Sequence, residues 1–135
     1  MLRKNAKLDL LRSVPLFERL SKSELEAVAA LADEVALPEG RKLTEEGASG
    51  TEFVVIVDGA ADVRRRGRKI NALGSGDFLG EIALVTGSPR TATVTTTAPT
   101  TVLVITARGF RTLLRTTPSV QLKVLETLAA RLPDE

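Results

Sequence analysis

The sequence predicts a mainly β domain with flanking helices: a double-stranded, jelly-roll-like β-roll held between N-terminal helices and two C-terminal helices. Three observations predict it. Apolar residues at helical spacing are confined to the two ends, with Leu25, Val28, Ala29 and Ala32 near the start and Leu122, Leu125, Leu128, Ala129 and Leu132 near the finish. Between residues 33 and 107 the apolar period shortens and turn residues recur at short intervals, the texture of rolls and barrels. The chain has 135 residues, enough for one domain with a sizeable core, and shows no internal repeat. The expected organisation is therefore a single domain over 1–135. It has an N-terminal helical segment at 1–32, a β-roll at 33–107 and C-terminal helices at 108–132.

Each element has a local reason. The leading segment 8–20 offers Leu10, Leu11, Val14, Leu16 and Phe17 for packing, and Val14-Pro15 breaks any helix there. Ser21-Lys22-Ser23-Glu24 is a capping box, with Leu20 and Leu25 as a hydrophobic staple across it, so a helix follows over 22–32. Val35 and Leu37 lead into a turn at Pro38-Glu39-Gly40. Lys42-Leu43-Thr44 is a short strand, and residues 46–50 form a loop with two glycines. Phe53-Val54-Val55-Ile56-Val57 is strongly β-prone. Asp58-Gly59 then signals a two-residue hairpin, with Ala61-Asp62-Val63 opening the return strand. Gly67 marks a further turn, after which Ile70 and Leu73 continue the sheet. Residues 91–97 alternate as a strand, and Val102-Leu103-Val104-Ile105 reads as a buried one. Phe110, Leu113 and Leu114 give a short helix, and Thr117-Pro118 is an N-cap followed by proline at the first position of the last helix.

Composition excludes much chemistry. With no cysteine there is no disulfide, thiolate nucleophile or cysteine zinc site, and with no histidine there is no Ser-His-Asp triad or histidine metal site. No carboxylate pair stands beside a nucleophile, so an enzyme is not expected, and neither is a metal or cofactor. No apolar run approaches the ~18–20 residues that span a bilayer. The basic N-terminus is not followed by the long apolar segment of a secretory signal, so a cytoplasmic protein without a membrane partner is expected. Net charge is only +2. The one notable run, Arg64-Arg65-Arg66-Gly67-Arg68-Lys69, reads as a solvated hairpin tip around Gly67. A nucleic-acid or membrane patch is the other reading, but no groove-reading helix or aromatic stacking motif accompanies it.

Residues 76–94, G-D-F-L-G-E-I-A-L-V-T-G-S-P-R-T-A-T-V, stand apart. Gly80 lacks a Cβ and lets a ligand approach the backbone closely. The following Glu81-Ile82-Ala83-Leu84-Val85 can make one helical turn whose first N–H groups face outward as anion donors. Pro89 fixes φ just before Arg90, whose guanidinium suits phosphate. Glu81 adds an acceptor for hydroxyls. Donors for a phosphate beside an acceptor for a sugar hydroxyl point to a phosphorylated sugar. Taken singly, Arg90 reads equally as a surface residue and Glu81 as a helix N-terminal charge; the joint spacing carries the signal.

This stretch closely resembles the phosphate-binding cassette of cyclic nucleotide-binding domains, found in protein kinase A regulatory subunits, catabolite-activator transcription factors and cyclic-nucleotide-gated channels. The match rests on Leu79-Gly80-Glu81-Ile82-Ala83-Leu84 and Pro89-Arg90-Thr91-Ala92-Thr93-Val94. It is extended by Leu11, Pro15-Leu16-Phe17, Leu20 and Ser21 before the roll and by Glu46-Gly47, Gly50, Phe53, Ile56 and Gly59 within it. Ala48 and Thr51 depart from the acidic residues usual in that family. The resemblance implies that Arg90 pairs with the cyclic phosphate, that Glu81 accepts the ribose 2′-hydroxyl, and that N–H groups near Gly80 and Thr91 support both. The expected ligand-binding set is Leu79, Gly80, Glu81, Ile82, Arg90, Thr91, Ala92 and Val63.

By the same resemblance the base lies against strand residues, with Val57 and Val63 as candidate walls and Leu125 and Leu128 as candidate caps; ordinary core packing is the other reading of each. Many cAMP-selective kinase sites carry alanine at the position of Thr91, several cGMP-responsive members carry threonine, and some channels with threonine still prefer cAMP. The expected ligand is cAMP, with cGMP open. The implied role is a sensor whose last two helices move on binding and which controls an effector domain or protein. Because Pro133 and the chain end leave no room for a dimer helix and a helix-turn-helix, direct DNA binding is not expected. The competing reading is a protein-interaction domain that keeps the fold without the ligand.

Overall fold

Eight strands and four helices are formed by the residues described in the computed structural model, which are 4–14, 17–48, 52–80 and 92–131. Helix α1 (Lys4–Ser13) precedes α2 (Lys22–Leu31). The strands follow as β1 (Asp33–Leu37), β2 (Lys42–Thr44), β3 (Glu52–Asp58), β4 (Ala61–Arg65), β5 (Arg68–Leu73), β6 (Phe78–Leu79), β7 (Thr93–Thr96) and β8 (Thr100–Thr106). Helices α3 (Ala107–Thr116) and α4 (Pro118–Arg131) close the order.

The capping box forms as the sequence predicts. Glu24 N–H donates to Ser21 Oγ at 3.2 Å and Ser21 N–H donates to Glu24 Oε1 at 2.8 Å, satisfying two donors that the helix cannot. Leu20 and Leu25 are both buried beside it. At the other end, Thr106 Oγ1 accepts from Gly109 N–H and caps α3, so this helix begins at Ala107, ahead of the expected 108. Pro118 starts α4, and the Thr117 carbonyl accepts from the N–H groups of Val120 and Gln121. Within the N-terminal helical segment expected over 1–32, residues 4–13 form a helix that stops just before Val14-Pro15, so part of the short entry segment expected at 8–20 is helical.

The strands make two four-stranded antiparallel sheets, ordered β1-β8-β3-β6 and β2-β7-β4-β5. Of the strands adjacent in sequence, β4 and β5 alone pair with each other. The rest find partners across the chain, which is the jelly-roll pattern. The Asp58-Gly59 hairpin expected between β3 and β4 is therefore absent. β3 is flanked by β8 and β6, and β4 lies in the opposite sheet beside β7. Gly59 turns a corner between sheets. Its φ is +114°, and a Cβ there would sit 2.4 Å from Thr100 Oγ1 and 2.7 Å from Thr100 Cα, so only glycine fits.

Alternation along β3 separates two cores. Phe53 and Val55 face the helices with Leu103 and Ile105 of β8. Packed there are Leu11, Val14, Phe17, Leu25, Val28, Phe110, Leu113 and Val120, so helices from both ends of the chain cover one sheet. Val54 and Ile56 face inward with Ala61, Leu79, Val94 and Val102, forming the core between the sheets. Three rings surround Phe53: Phe110 stacked at 5.0 Å, Phe78 at 5.7 Å and Phe17 edge-on at 6.0 Å.

The basic run forms the solvent-exposed β4–β5 hairpin, with Arg66 (φ 53°) and Gly67 (φ 77°) as its two-residue turn. The register shifts between Val63 and Arg64, leaving Ile70 opposite no partner and 49% exposed. Asp62 lies 3.2 Å from Lys69 Nζ and 3.7 Å from Arg64 Nη2, pairs too exposed to add much stability. No helix among the described residues is long and apolar enough to cross a membrane.

Truncating Phe53 removes the ring shared by the leading segment, β6 and α3. Phe53→Ala is expected to lower unfolding free energy by about 3–5 kcal/mol in urea titration followed by circular dichroism, with Phe53→Leu losing markedly less.

Candidate functional site

The stretch singled out by the sequence joins strands in opposite sheets. Its leading end is β6, whose Leu79 pairs with Val54 at the edge of the helix-covered sheet. Its trailing end is β7, whose Val94 pairs with Val63 of β4 in the middle of the other sheet. Leu79 and Val94 are 8% and 4% exposed and meet in the same inter-sheet core, so the two ends of the cassette converge inside the roll. Val63, Leu73, Val104, Leu37 and Leu43 pack around that cluster as partly buried residues.

Of the expected ligand-binding residues, Leu79, Gly80, Ala92 and Val63 are described. Leu79 is a core residue with its side chain among the inter-sheet apolar groups. Gly80 follows it at φ +103°, in a conformation that side-chain-bearing residues rarely adopt. The backbone thus leaves β6 through a bend that needs glycine, at the place where close ligand approach was expected. Ala92 is half-buried, and its carbonyl accepts a 3.0 Å bond from Thr44 Oγ1. Val63 is half-buried and faces the inter-sheet core, a position suited to a pocket wall. Glu81, Ile82, Arg90 and Thr91 lie outside the described residues.

Val57 takes the core-packing alternative of its two readings. It packs against the helix-side core with Phe53 and Val55, because residues two apart on a strand share a face, whereas Val63 belongs to the other core. Leu125 stands 64% exposed on α4, and the side chain of Leu128 lies outside the described residues.

The trailing end of the cassette is held by polar residues that sequence reasoning missed. Besides the Thr44 bond, Glu46 N–H donates to Thr93 Oγ1 at 3.0 Å, and the Glu46 carboxylate accepts from Arg66 N–H at 2.9 Å. The partners are 48, 47 and 20 residues apart in the chain, so no local pattern announces them. The signals in the sequence were the Glu46-Gly47 pair and threonine at alternating positions of a strand, neither of which names a partner. The arrangement sets a glycine bend directly after Leu79, at the margin of the apolar core between the sheets. No group of three or more metal-binding side chains occurs among the described residues.

Comparison with known proteins agrees with this geometry. The cyclic nucleotide-binding domain family matches residues 34–117. The chain is 41% identical over 91 residues to a cAMP-dependent protein kinase regulatory subunit of Mycosarcoma maydis, covering 62% of this chain and 17% of that protein. It is 32% identical over 123 residues to a cyclic nucleotide-gated potassium channel of Rhizobium etli, covering 90% of this chain and 34% of the channel. Among solved structures, cAMP-bound PfPKA-R superposes with a TM-score of 0.77 at 26% identity, over 93% of this chain and 47% of that one. The chain spans no more than about a third of these curated relatives, which are regulatory subunits and a channel. With a jelly-roll whose cassette ends meet between the sheets, and a family match across the roll and through α3, the chain belongs to the cyclic nucleotide-binding domain family.

Proposed function

We propose that this domain binds a cyclic mononucleotide, cAMP in preference to cGMP, as a sensor that controls an effector domain or protein through its C-terminal helices. The observation that carries the reading is the complete cassette motif in the sequence, Glu81 and Arg90 included, whose flanking residues Leu79 and Val94 meet in the inter-sheet core. The relatives support the ligand: one is a cAMP-dependent kinase regulatory subunit and one similar structure is cAMP-bound. Binding rather than catalysis fits a chain with no cysteine or histidine. In this reading the protein acts in the cytoplasm, where such ligands are made and read.

In this reading Arg90 meets the cyclic phosphate with two parallel N–H···O bonds, and Glu81 accepts the ribose 2′-hydroxyl. Removing the guanidinium leaves a desolvated charge unpaired, at a cost on the order of 2–5 kcal/mol. Exposed Leu122 and Leu125 on α4, at 53% and 64%, leave apolar area that closure over a base would bury. Such burial contributes about 25 cal/mol for each Å² and gives the helix a reason to move. A movement of this kind requires a ligand that distinguishes the two arrangements, which a base beneath α4 would do.

Calorimetric titration of the purified chain with cAMP and cGMP tests the site. Saturable binding is expected, stronger for cAMP, and weakened at least about tenfold in Arg90→Ala. In Glu81→Ala the preference for the ribo- over the 2′-deoxy-nucleotide should shrink. No heat with either ligand, from folded and nucleotide-free protein, would instead favour an interaction domain that keeps the fold.

Hydrogen exchange tests the output. Amides over 118–131 are expected to change protection when saturating cAMP is added, while those of β3 and β8 stay unaltered. Identical protection with and without ligand would refute helix movement.

A further inference from the structure

At the junction where the cassette rejoins the roll, one residue reaches across a strand. β7 lies between β2 and β4 in its sheet. Glu46 follows β2 on one flank of β7, and Arg66 sits in the β4–β5 turn on the other flank. The Glu46 N–H donates to Thr93 Oγ1, on the first residue of β7, and its carboxylate continues past to accept from the Arg66 N–H. Thr44 Oγ1 fastens the carbonyl of Ala92, one residue nearer the cassette. Three bonds thus close a clasp over the start of β7, joining both neighbouring strands across it.

Arg66 bears on why the carboxylate is there. It is the one non-glycine residue with positive φ among the described residues, at 53°. A side-chain-bearing residue in this region carries a conformational cost. A charged acceptor on its N–H offsets that cost and fixes the turn against β7. Glu46 itself is exposed. It therefore contributes little to the core, and its value lies in what it holds in place.

We propose that Glu46 is a positioning residue of the nucleotide site. It fixes the trailing end of the cassette without touching the ligand, and this rests on the cyclic-nucleotide reading above. Arg90 and Thr91 precede Ala92 directly in the chain, so a loosened clasp lets the phosphate donors wander. Binding must then order them at the expense of affinity. The basic hairpin acquires a role in the same step, since its turn is the anchor for the clasp.

The test is titration and stopped-flow dissociation of the full chain with cAMP and cGMP, beside thermal unfolding. Glu46→Ala is expected to weaken affinity about fivefold and to speed dissociation, with a small shift in Tm. Glu46→Gln keeps an oxygen acceptor for the Arg66 N–H and should restore affinity to within about twofold of wild type. Thr93→Val removes the other acceptor while keeping a β-branched strand residue. It should weaken binding in the same direction and add little in the Glu46→Ala background, because both changes open one clasp. Wild-type affinity and dissociation rate in both Glu46→Ala and Thr93→Val would overturn the proposal, as would a Gln variant as weak as the Ala variant. Those results would leave the nucleotide site standing. A wild-type chain that binds neither nucleotide would overturn both readings.

Discussion

Phe53 stacks on Phe110 at 5.0 Å while Phe17 and Phe78 approach its ring at 6.0 and 5.7 Å, so all four phenylalanines of the chain share one cluster. Each comes from a different part of the fold: the segment before α2, the central strand β3, the strand that opens the cassette, and α3. The phenylalanines bring large apolar area to a chain that has neither tryptophan nor tyrosine. They hold helices from both termini against one sheet. The other buried residues of the helical layer, from Leu8 to Val120, belong to the same core cluster.

The cluster also lies next to the candidate site in a literal sense. Along β3, Phe53 and Val55 face the helices while Val54 and Ile56 face the inter-sheet core. β6 repeats the division in two residues: Phe78 packs on the helix side, Leu79 on the other, and Gly80 makes the bend that follows. The Phe53 ring touches both Phe78 of β6 and Phe110 of α3, so one side chain of β3 is shared by the strand that leads to the bend and by the helical layer.

Features encoded by neighbouring residues were legible in the sequence. The Ser21 capping box, the Lys42–Thr44 strand, the turn around Gly67 and the proline that opens the last helix need only local rules. The roll could be named, but its pairings could not be read one by one. Asp58-Gly59 looks like a hairpin because the dipeptide reports a sharp bend and says nothing of which sheet receives the next strand; the contact with Thr100 decides that. Val57 stayed open between wall and core for a related reason, since the strand's facing depends on where the helices dock. The site divides the same way. The cassette motif is contiguous and visible, whereas Glu46 and Thr44 reach it across more than forty residues.

The open flank of β5 shows a different kind of economy. A strand at the margin of a sheet leaves half its amides and carbonyls unpaired, and a second copy of the chain is a ready donor of the missing bonds. Here the margin carries Arg68 and Lys69, beside Arg64, Arg65 and Arg66 across the hairpin, and Ile70 interrupts the ladder. Two such margins meeting side by side would crowd like charges together and find their hydrogen-bond rows out of step. The hairpin therefore discourages growth of the sheet from molecule to molecule, a property that matters most at high protein concentration.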